Sequence, residues 1–307
     1  MNTPSSKNTK PIHPPFSSSV LKELKQLHFQ TKMLIDTGIS GQYRSAFKGR
    51  GIEFDEVREY TVGDDIRSID WKVTARHQKP FMKSYREERD LTVFVAVDIS
   101  SSLATGTKAK IRSNVLAQAG AMLSLIALNN NDNVGLVTYS DRLETYHPAR
   151  KARSSVWRIL HEVLHPTATH PGTDLKSFFA LLNKVIKRRS IVFILSDFLD
   201  SNYERELNLL ASRHDVTAVC AEDPSEKILP HSGLVTLEDP ETSEQLILDT
   251  NNELVMREYE RLTKEKEEQK LSIFRKANVG LIRLSTDKEI VPEFKRFLRS
   301  KHKRHAA

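Results

Sequence analysis

The sequence is poor in cysteine, since Cys220 is its only one among 307 residues. A lone cysteine excludes an internal disulfide and fits a reducing compartment. Long apolar runs are also lacking: the stretches around Val93, Leu123 and Ile191 are far shorter than the roughly 20 residues that a membrane span requires. Residues 1–19 contain no apolar segment of the kind found in secretory signals. We therefore predict a cytoplasmic protein without a transmembrane segment.

Basic residues outnumber acidic ones, which gives a formal net charge of +7 and an isoelectric point near 9.3. Part of the excess lies at the C-terminus, in Lys295, Arg296, Arg299, Lys301, Lys303 and Arg304. Such a cluster could contact nucleic acid or an anionic membrane, or it could be the solvated face of a final helix. Phe294 and Phe297 are predicted to form the inner face of that helix, which favours the second interpretation.

Apolar strands and amphipathic helices alternate along most of the chain. Residues Thr92 to Val97 form a continuous β-branched and aromatic run, typical of a strand buried on both faces at the centre of a parallel sheet. Further strands are predicted over 133–139, 142–147, 190–195, 216–220 and 279–284. The alternation predicts right-handed βαβ units and a doubly wound, mostly parallel α/β sheet. A small β-hairpin is predicted at about 234–249.

The composition divides the chain into four predicted segments. They are a disordered tail over 1–19, an N-terminal helix and a charged block over 20–90, the α/β domain over 91–286, and a C-terminal helix with a basic tail over 287–307. The N-terminal helix is predicted at about 20–34 from its apolar spacing. Glycine, serine and basic residues between Gly38 and Gly51 predict a flexible connection after it.

Five oxygen-bearing side chains are predicted at the carboxyl edge of the sheet. Asp98, Ser100 and Ser102 follow the first strand, Thr173 precedes a helix, and Asp197 follows the strand at 190–195. These loops are expected to meet, because open α/β sheets bring the carboxyl ends of their strands together. Two carboxylates and three hydroxyls exclude a zinc-type site and suit a hard divalent ion. Any one of these residues could instead be a helix cap or a turn residue.

The five residues together resemble the metal-ion-dependent adhesion site of the von Willebrand factor A domain, over about residues 91–286. The resemblance implies a von Willebrand factor A-like fold and a bound Mg²⁺ or Mn²⁺ ion. It also implies that a carboxylate from a partner protein fills the open coordination position. Hydroxyl groups are weak donors, so an ion held in this way stays electrophilic towards such a carboxylate.

A second signature precedes the α/β domain. Arg-Ser at 44–45, Gly-Arg-Gly-x-Glu-Phe at 49–54 and Arg-Glu-Tyr-x-x-Gly-Asp-Asp-x-Arg-x-Ile-Asp-Trp-Lys at 58–72 look like the signature of a bacterial domain-of-unknown-function family. Members are typically encoded beside AAA+ ATPases of the MoxR type. The resemblance therefore implies an adaptor or chaperone component that acts with such an ATPase. Many relatives also have transmembrane helices, which the present sequence lacks.

The charged block admits two interpretations. Its charged residues could form a salt-bridge network that connects the block to the α/β domain, or they could bind a partner directly. They are Arg58, Asp64, Asp65, Arg67 and Asp70. Trp71 is predicted to be a packing anchor. The apolar residues of this block predict that the region from about 49 to 89 packs onto the domain.

The sequence favours a non-enzymatic, metal-dependent binding protein. A metal-dependent hydrolase is an alternative, with Asp98 or Ser100 as nucleophile and His161, His165 or His170 as the nearest candidate bases. Nucleic-acid binding through the basic tail is another. The chain is not predicted to be an ATPase, because its glycines do not match a phosphate-binding loop.

Overall fold

Strands and helices alternate through most of the chain in the computed structural model. The structure describes residues 38–47, 53–61, 64–77, 79–86, 91–104, 112–151, 153–164, 172–224, 229, 231–239, 242 and 244–306. The strands are β1 (Glu53–Glu59), β2 (Phe81–Arg86), β3 (Thr92–Asp98), β4 (Asn133–Tyr139), β5 (Leu143–Arg150), β6 (Ile191–Ser196), β7 (Asp215–Glu222), β8 (Leu234–Glu238), β9 (Gln245–Asp249) and β10 (Gly280–Ser285). The helices are α1 (Ser40–Phe47), α2 (Trp71–His77), α3 (Arg112–Asn129), α4 (Arg153–Leu164), α5 (Leu175–Val185), α6 (Glu204–Arg213), α7 (Glu253–Lys276) and α8 (Ile290–Ala306).

Strand β3 lies inside a six-stranded sheet with the order β10-β7-β6-β3-β4-β5. Neighbouring strands are parallel except at the edge, where β5 runs antiparallel to β4. The chain extends the sheet from β3 towards β5 and then returns to the other side of β3 with β6. The order therefore reverses between β3 and β6, and open α/β sheets form a ligand crevice at such a point. The predicted doubly wound, mostly parallel α/β fold is confirmed.

Both faces of β3 are buried in apolar cores. Val93, Val95 and Val97 pack in one core with helices α3, α4 and α8. Phe94 and Ala96 point to the opposite face and pack in a second core with α5, α6 and the end of α7. Because successive side chains of a strand point to opposite faces, the unbroken apolar run of β3 supplies both cores. This burial leaves the polar end of β3 at the carboxyl edge of the sheet.

Helix α1 corrects the prediction of a flexible connection between Gly38 and Gly51. Tyr43 and Phe47 lie one helical turn apart, and both are buried. The Phe47 ring meets Phe193 of β6 edge-on, with 5.5 Å between ring centroids. The sequence pattern did not reveal this apolar face, because the helix has only two turns and Gly41, Arg44 and small or polar residues fill its other positions. The connection prediction is therefore wrong for the residues of α1.

Hydrogen bonds fix α1 to the start of β3 and to the turn between α3 and β4. The Tyr43 hydroxyl donates to Asp132 Oδ2 at 3.1 Å, and Asp132 Oδ1 accepts from the Leu91 backbone N–H at 3.1 Å. Arg44 Nε donates to Asn130 Oδ1 at 2.8 Å. These contacts lie at the amino end of β3, so α1 packs at the edge of the sheet opposite to the predicted metal site.

The charged block forms a small unit that the sequence did not predict. Strands β1 and β2 pair antiparallel from Glu53↔Arg86 to Glu59↔Phe81, and α2 lies between them in the chain. Trp71, the first residue of α2, is 68% exposed, so the prediction that it is a packing anchor is wrong. Ile66 is also exposed. The packing of this unit on the α/β domain stays a prediction.

Other parts of the chain agree with the sequence predictions. The hairpin is formed by β8 and β9, and Phe294 and Phe297 are buried on the inner face of α8. Lys301 of the basic tail is paired with Asp215 at 2.5 Å. The predicted tail over 1–19 and the helix at about 20–34 lie outside the described residues. Within the described part of the chain, no helix combines the length and the apolar character that crossing a membrane requires.

Candidate metal centre

Asp98 ends β3 and is buried at the carboxyl edge of the sheet. Its Oδ1 accepts the Ser100 backbone N–H at 2.9 Å, and its Oδ2 accepts the Ser196 hydroxyl at 2.8 Å. The hydroxyls of Ser100 and Ser102 lie 2.9 Å apart. The loop after β3 therefore gathers one carboxylate and two hydroxyls, as the alternating Asp-x-Ser-x-Ser pattern predicts.

Asp197 follows β6 directly and is also buried. The next residue, Phe198, has a positive φ of 55°, which is uncommon for a bulky residue and costs about 1–2 kcal/mol. Its backbone N–H donates to the Ser196 hydroxyl at 3.1 Å, and its ring is buried. Such strained backbone concentrates at functional sites, where the surrounding structure has to hold it in place.

Thr173 lies in a loop that is hydrogen-bonded to the end of β4 on one side and to the loop after β6 on the other. The Tyr139 hydroxyl donates to the Asp174 carbonyl at 2.6 Å, while the Tyr139 carbonyl accepts the backbone N–H of the residue after Asp98 at 2.8 Å. On the other side, the Leu175 backbone N–H donates to Asp200 Oδ2 at 2.8 Å. These bonds place the Thr173 loop beside the loops that carry Asp98 and Asp197. Thr173 itself is half-buried.

The two buried carboxylates repel each other. Burial and the nearby charge of Asp197 raise the pKa of Asp98 to about 7, although hydrogen bonds from Ser100 and Ser196 partly oppose the shift. A carboxyl group in this state is stabilised by any added positive charge. The electrostatics of the site therefore favour a cation.

One cation is already present in the form of Arg112. Its Nη1 lies 3.1 Å from Asp197 Oδ2, and both side chains are buried. Arg112 was not among the residues predicted for the site. The sequence does distinguish Arg112, because it is the one charged residue of α3. It also stands at the first position of that helix, where the helix dipole disfavours a positive charge.

The donor set suits a hard ion rather than zinc. Within the described ranges, no group of three or more His, Cys, Asp or Glu side chains is arranged to hold a metal. An ion at this edge would therefore depend on Asp98, Asp197 and neighbouring hydroxyl or water oxygens. Mg²⁺ accepts such a mixture and commonly keeps several waters. The residues present fit the predicted ion.

The predicted network of the charged block is made largely of local contacts. Arg58 binds Asp64 through two hydrogen bonds of 2.8 Å, and this pairing lowers the pKa of Asp64 well below its ordinary value. Asp65 accepts the Arg67 backbone N–H at 2.9 Å. Asp70 accepts the Lys72 backbone N–H at 3.0 Å at the start of α2. Asp65 and Asp70 therefore cap short helical turns within the block.

The structure describes only some of the residues considered for hydrolysis. The Ser100 hydroxyl is hydrogen-bonded to the hydroxyl of Ser102, and the Ser100 side chain also hydrogen-bonds the carboxylate of Asp98. His161 lies on α4 and is half-buried. His165 and His170 lie outside the described residues.

Comparison with known proteins finds a matching family model, curated relatives and similar solved structures. The profile of the family described as "Protein of unknown function DUF58" matches residues 56–269. The uncharacterized protein Rv1480 of Mycobacterium tuberculosis is 30% identical over 245 residues, which cover 75% of this chain and 76% of the relative.

Among solved structures, BatB from Bacteroides thetaiotaomicron matches with a TM-score of 0.43 and 13% identity, covering 70% of this chain and 98% of that one. An aerotolerance-related membrane protein from Bacteroides fragilis matches with a TM-score of 0.46 and 15% identity, covering 69% and 99%.

Proposed function

The chain belongs to the DUF58 family, and we propose that it is a non-enzymatic protein-binding module whose binding depends on Mg²⁺ or Mn²⁺. One observation carries the proposal: Asp98 and Asp197 are buried side by side at the point where the strand order of the sheet reverses. The Ser196 hydroxyl donates to the Asp98 carboxylate at 2.8 Å, and the hydroxyls of Ser100 and Ser102 lie 2.9 Å apart in the loop that follows Asp98. This is where an α/β sheet binds a ligand, and the charge there is negative.

The residues of the site have separate roles in this proposal. Asp98 and Asp197 provide the negative charge, and Ser196 and the Ser100 backbone N–H orient Asp98. When bound, the ion would supply an open coordination position for a carboxylate of the partner protein. Leu199, two residues after Asp197, is 63% exposed and offers apolar surface beside that position.

Binding is favoured over hydrolysis by the surroundings of the candidate nucleophile. A serine nucleophile requires an adjacent general base that is free to accept its proton, whereas the Ser100 hydroxyl contacts the hydroxyl of Ser102 and the carboxylate of Asp98, which is already engaged. Asp98 has its two oxygens occupied by the Ser100 backbone N–H and the Ser196 hydroxyl. Both groups are therefore held in orienting contacts rather than directed at a substrate.

The proposed partner is a MoxR-type AAA+ ATPase or the protein substrate of that ATPase, in the cytoplasm. The signature over 44–72 motivates this choice, because the family that it resembles is encoded beside such ATPases. The partner would contribute an exposed Asp or Glu to the ion. It could also contact Trp71, whose exposure leaves a large aromatic side chain available for an interface.

The test is capture of the purified neighbouring ATPase on immobilised protein, with and without the metal. We expect the recovery of the ATPase on wild type to be at least about tenfold lower in EDTA than in Mg²⁺. On the Asp98→Ala/Asp197→Ala variant the recovery should be equally low in both buffers. Glu244→Ala, which removes an exposed carboxylate from the turn between β8 and β9, is the matched control and should behave as wild type. Equal recovery of wild type and double variant in Mg²⁺ and EDTA would show that the metal does not mediate the contact.

A further inference from the structure

Arg112 forms a buried ion pair inside the proposed metal site. Its Nη1 lies 3.1 Å from Asp197 Oδ2, and the two side chains are only 6% and 4% exposed. Arg112 is thus a positive charge placed directly on one of the two carboxylates that would hold the ion. Most arginines are found on the surface, so this placement requires an explanation.

Stability of the helix does not explain the position of Arg112. The first turn of a helix carries partial positive charge, so a cation there is unfavourable. The remainder of α3 is apolar or uncharged, so Arg112 has no ion-pair partner within its own helix. Buried ion pairs also contribute little net stability, because both groups lose their hydration. The function of Arg112 is therefore expected to lie in what it does to Asp197.

The charges of the site favour an exchange between Arg112 and a divalent ion. With both carboxylates ionised, as they would be around a bound ion, Asp98 and Asp197 carry a charge of −2, and Arg112 lowers this to −1. A divalent ion bound beside Arg112 would leave +1 in a buried site, whereas an ion that displaces Arg112 would leave zero. Since an uncompensated buried charge is costly, the neutral arrangement is preferred over the arrangement with both cations.

We propose that Arg112 is a built-in competitor of the metal ion. In the metal-free protein it neutralises Asp197, and it has to leave Asp197 when the ion binds. The affinity of the site for metal is then set by the competition with Arg112, and the site binds weakly on its own. This inference rests on the metal dependence proposed above.

The test is a titration of Mn²⁺ into wild type and Arg112→Gln, followed by the paramagnetic signal of free Mn²⁺. Glutamine is polar but uncharged, so it removes the competition. We expect Arg112→Gln to bind Mn²⁺ at least about tenfold more tightly than wild type, because the apparent affinity of wild type is reduced by the fraction of molecules in which Arg112 occupies Asp197. Lys270→Gln is the matched control, since it removes another largely buried cation, paired with Glu267 at 2.8 Å on α7. It should leave the Mn²⁺ affinity unchanged.

A second measurement covers the case in which Arg112→Gln is unstable without metal. The midpoint of thermal unfolding should then rise more steeply with Mn²⁺ concentration in the variant than in wild type. If wild type binds Mn²⁺ and the variant binds it equally or more weakly, Arg112 is not a competitor and the metal dependence stands. If neither protein binds Mn²⁺, the metal site and this inference are both wrong. Binding by the variant alone would support the inference most strongly.

Discussion

In metal-free buffer at pH 8, the Asp98→Asn variant is expected to unfold at a higher temperature than wild type. The charged Asp98 is buried beside Asp197, and these two causes raise its pKa from 3.8 to about 7. Holding the group ionised in the folded protein at pH 8 corresponds to a cost on the order of 4 kcal/mol at most. Asparagine removes the charge and retains an oxygen that can accept the Ser100 backbone N–H.

The expected pH dependence follows from the direction of the shift. Because the pKa of Asp98 is higher in the folded than in the unfolded protein, the folded state binds the proton more tightly. Wild type should lose stability relative to Asp98→Asn as the pH rises from about 4 to about 7, and the difference should stay constant above that range. Thermal unfolding of both proteins in EDTA at several pH values measures this. If the difference in unfolding midpoint between wild type and Asp98→Asn is the same at pH 5 and at pH 8, the electrostatic account of the site is contradicted.

Substitution of Asp132 is expected to destabilise the protein strongly, although Asp132 lies at the edge of the sheet opposite to the metal site. Its two carboxylate oxygens accept the Tyr43 hydroxyl and the Leu91 backbone N–H, each at 3.1 Å. Asp132→Ala leaves both donors without this acceptor in a buried or half-buried position. We expect a loss of about 2–4 kcal/mol in the free energy of unfolding, measured by urea denaturation.

The control for this prediction is Tyr43→Phe. It removes one of the two hydrogen bonds and keeps the aromatic ring in the core, so the loss should be about 1 kcal/mol. Limited proteolysis of Asp132→Ala should also release α1 before it cuts the α/β domain. A change below about 0.5 kcal/mol for Asp132→Ala would show that these hydrogen bonds do not hold α1 in place.

The central sheet could be predicted because its signals are strong and local. The unbroken apolar run of β3 and the alternation with amphipathic helices determine which face of each element is buried. The site loops followed from the sheet, since the carboxyl ends of parallel strands share one edge. For this reason Asp98 and Asp197 could be expected together although they are 99 positions apart in the sequence.

The features that the sequence did not predict depend on contacts between distant residues rather than on periodicity. Helix α1 is short, and its apolar face acquires meaning only against Phe193 of the sheet. Trp71 was expected to be buried because of its size, whereas its place at the start of α2 leaves it exposed. Arg112 pairs with Asp197 across 85 residues of sequence, and no local pattern specifies that partner.

The most direct test of the account is a calorimetric titration of Mg²⁺ into purified wild type, Asp98→Asn and Asp197→Asn. The account predicts one ion per chain in wild type, with weak affinity because Arg112 competes for Asp197, and no binding in either variant. Asparagine keeps the shape of each side chain, so loss of binding would report the missing negative charge rather than a disrupted loop. Absence of binding in wild type, or the same binding in all three proteins, would contradict the claim that Asp98 and Asp197 form a metal site.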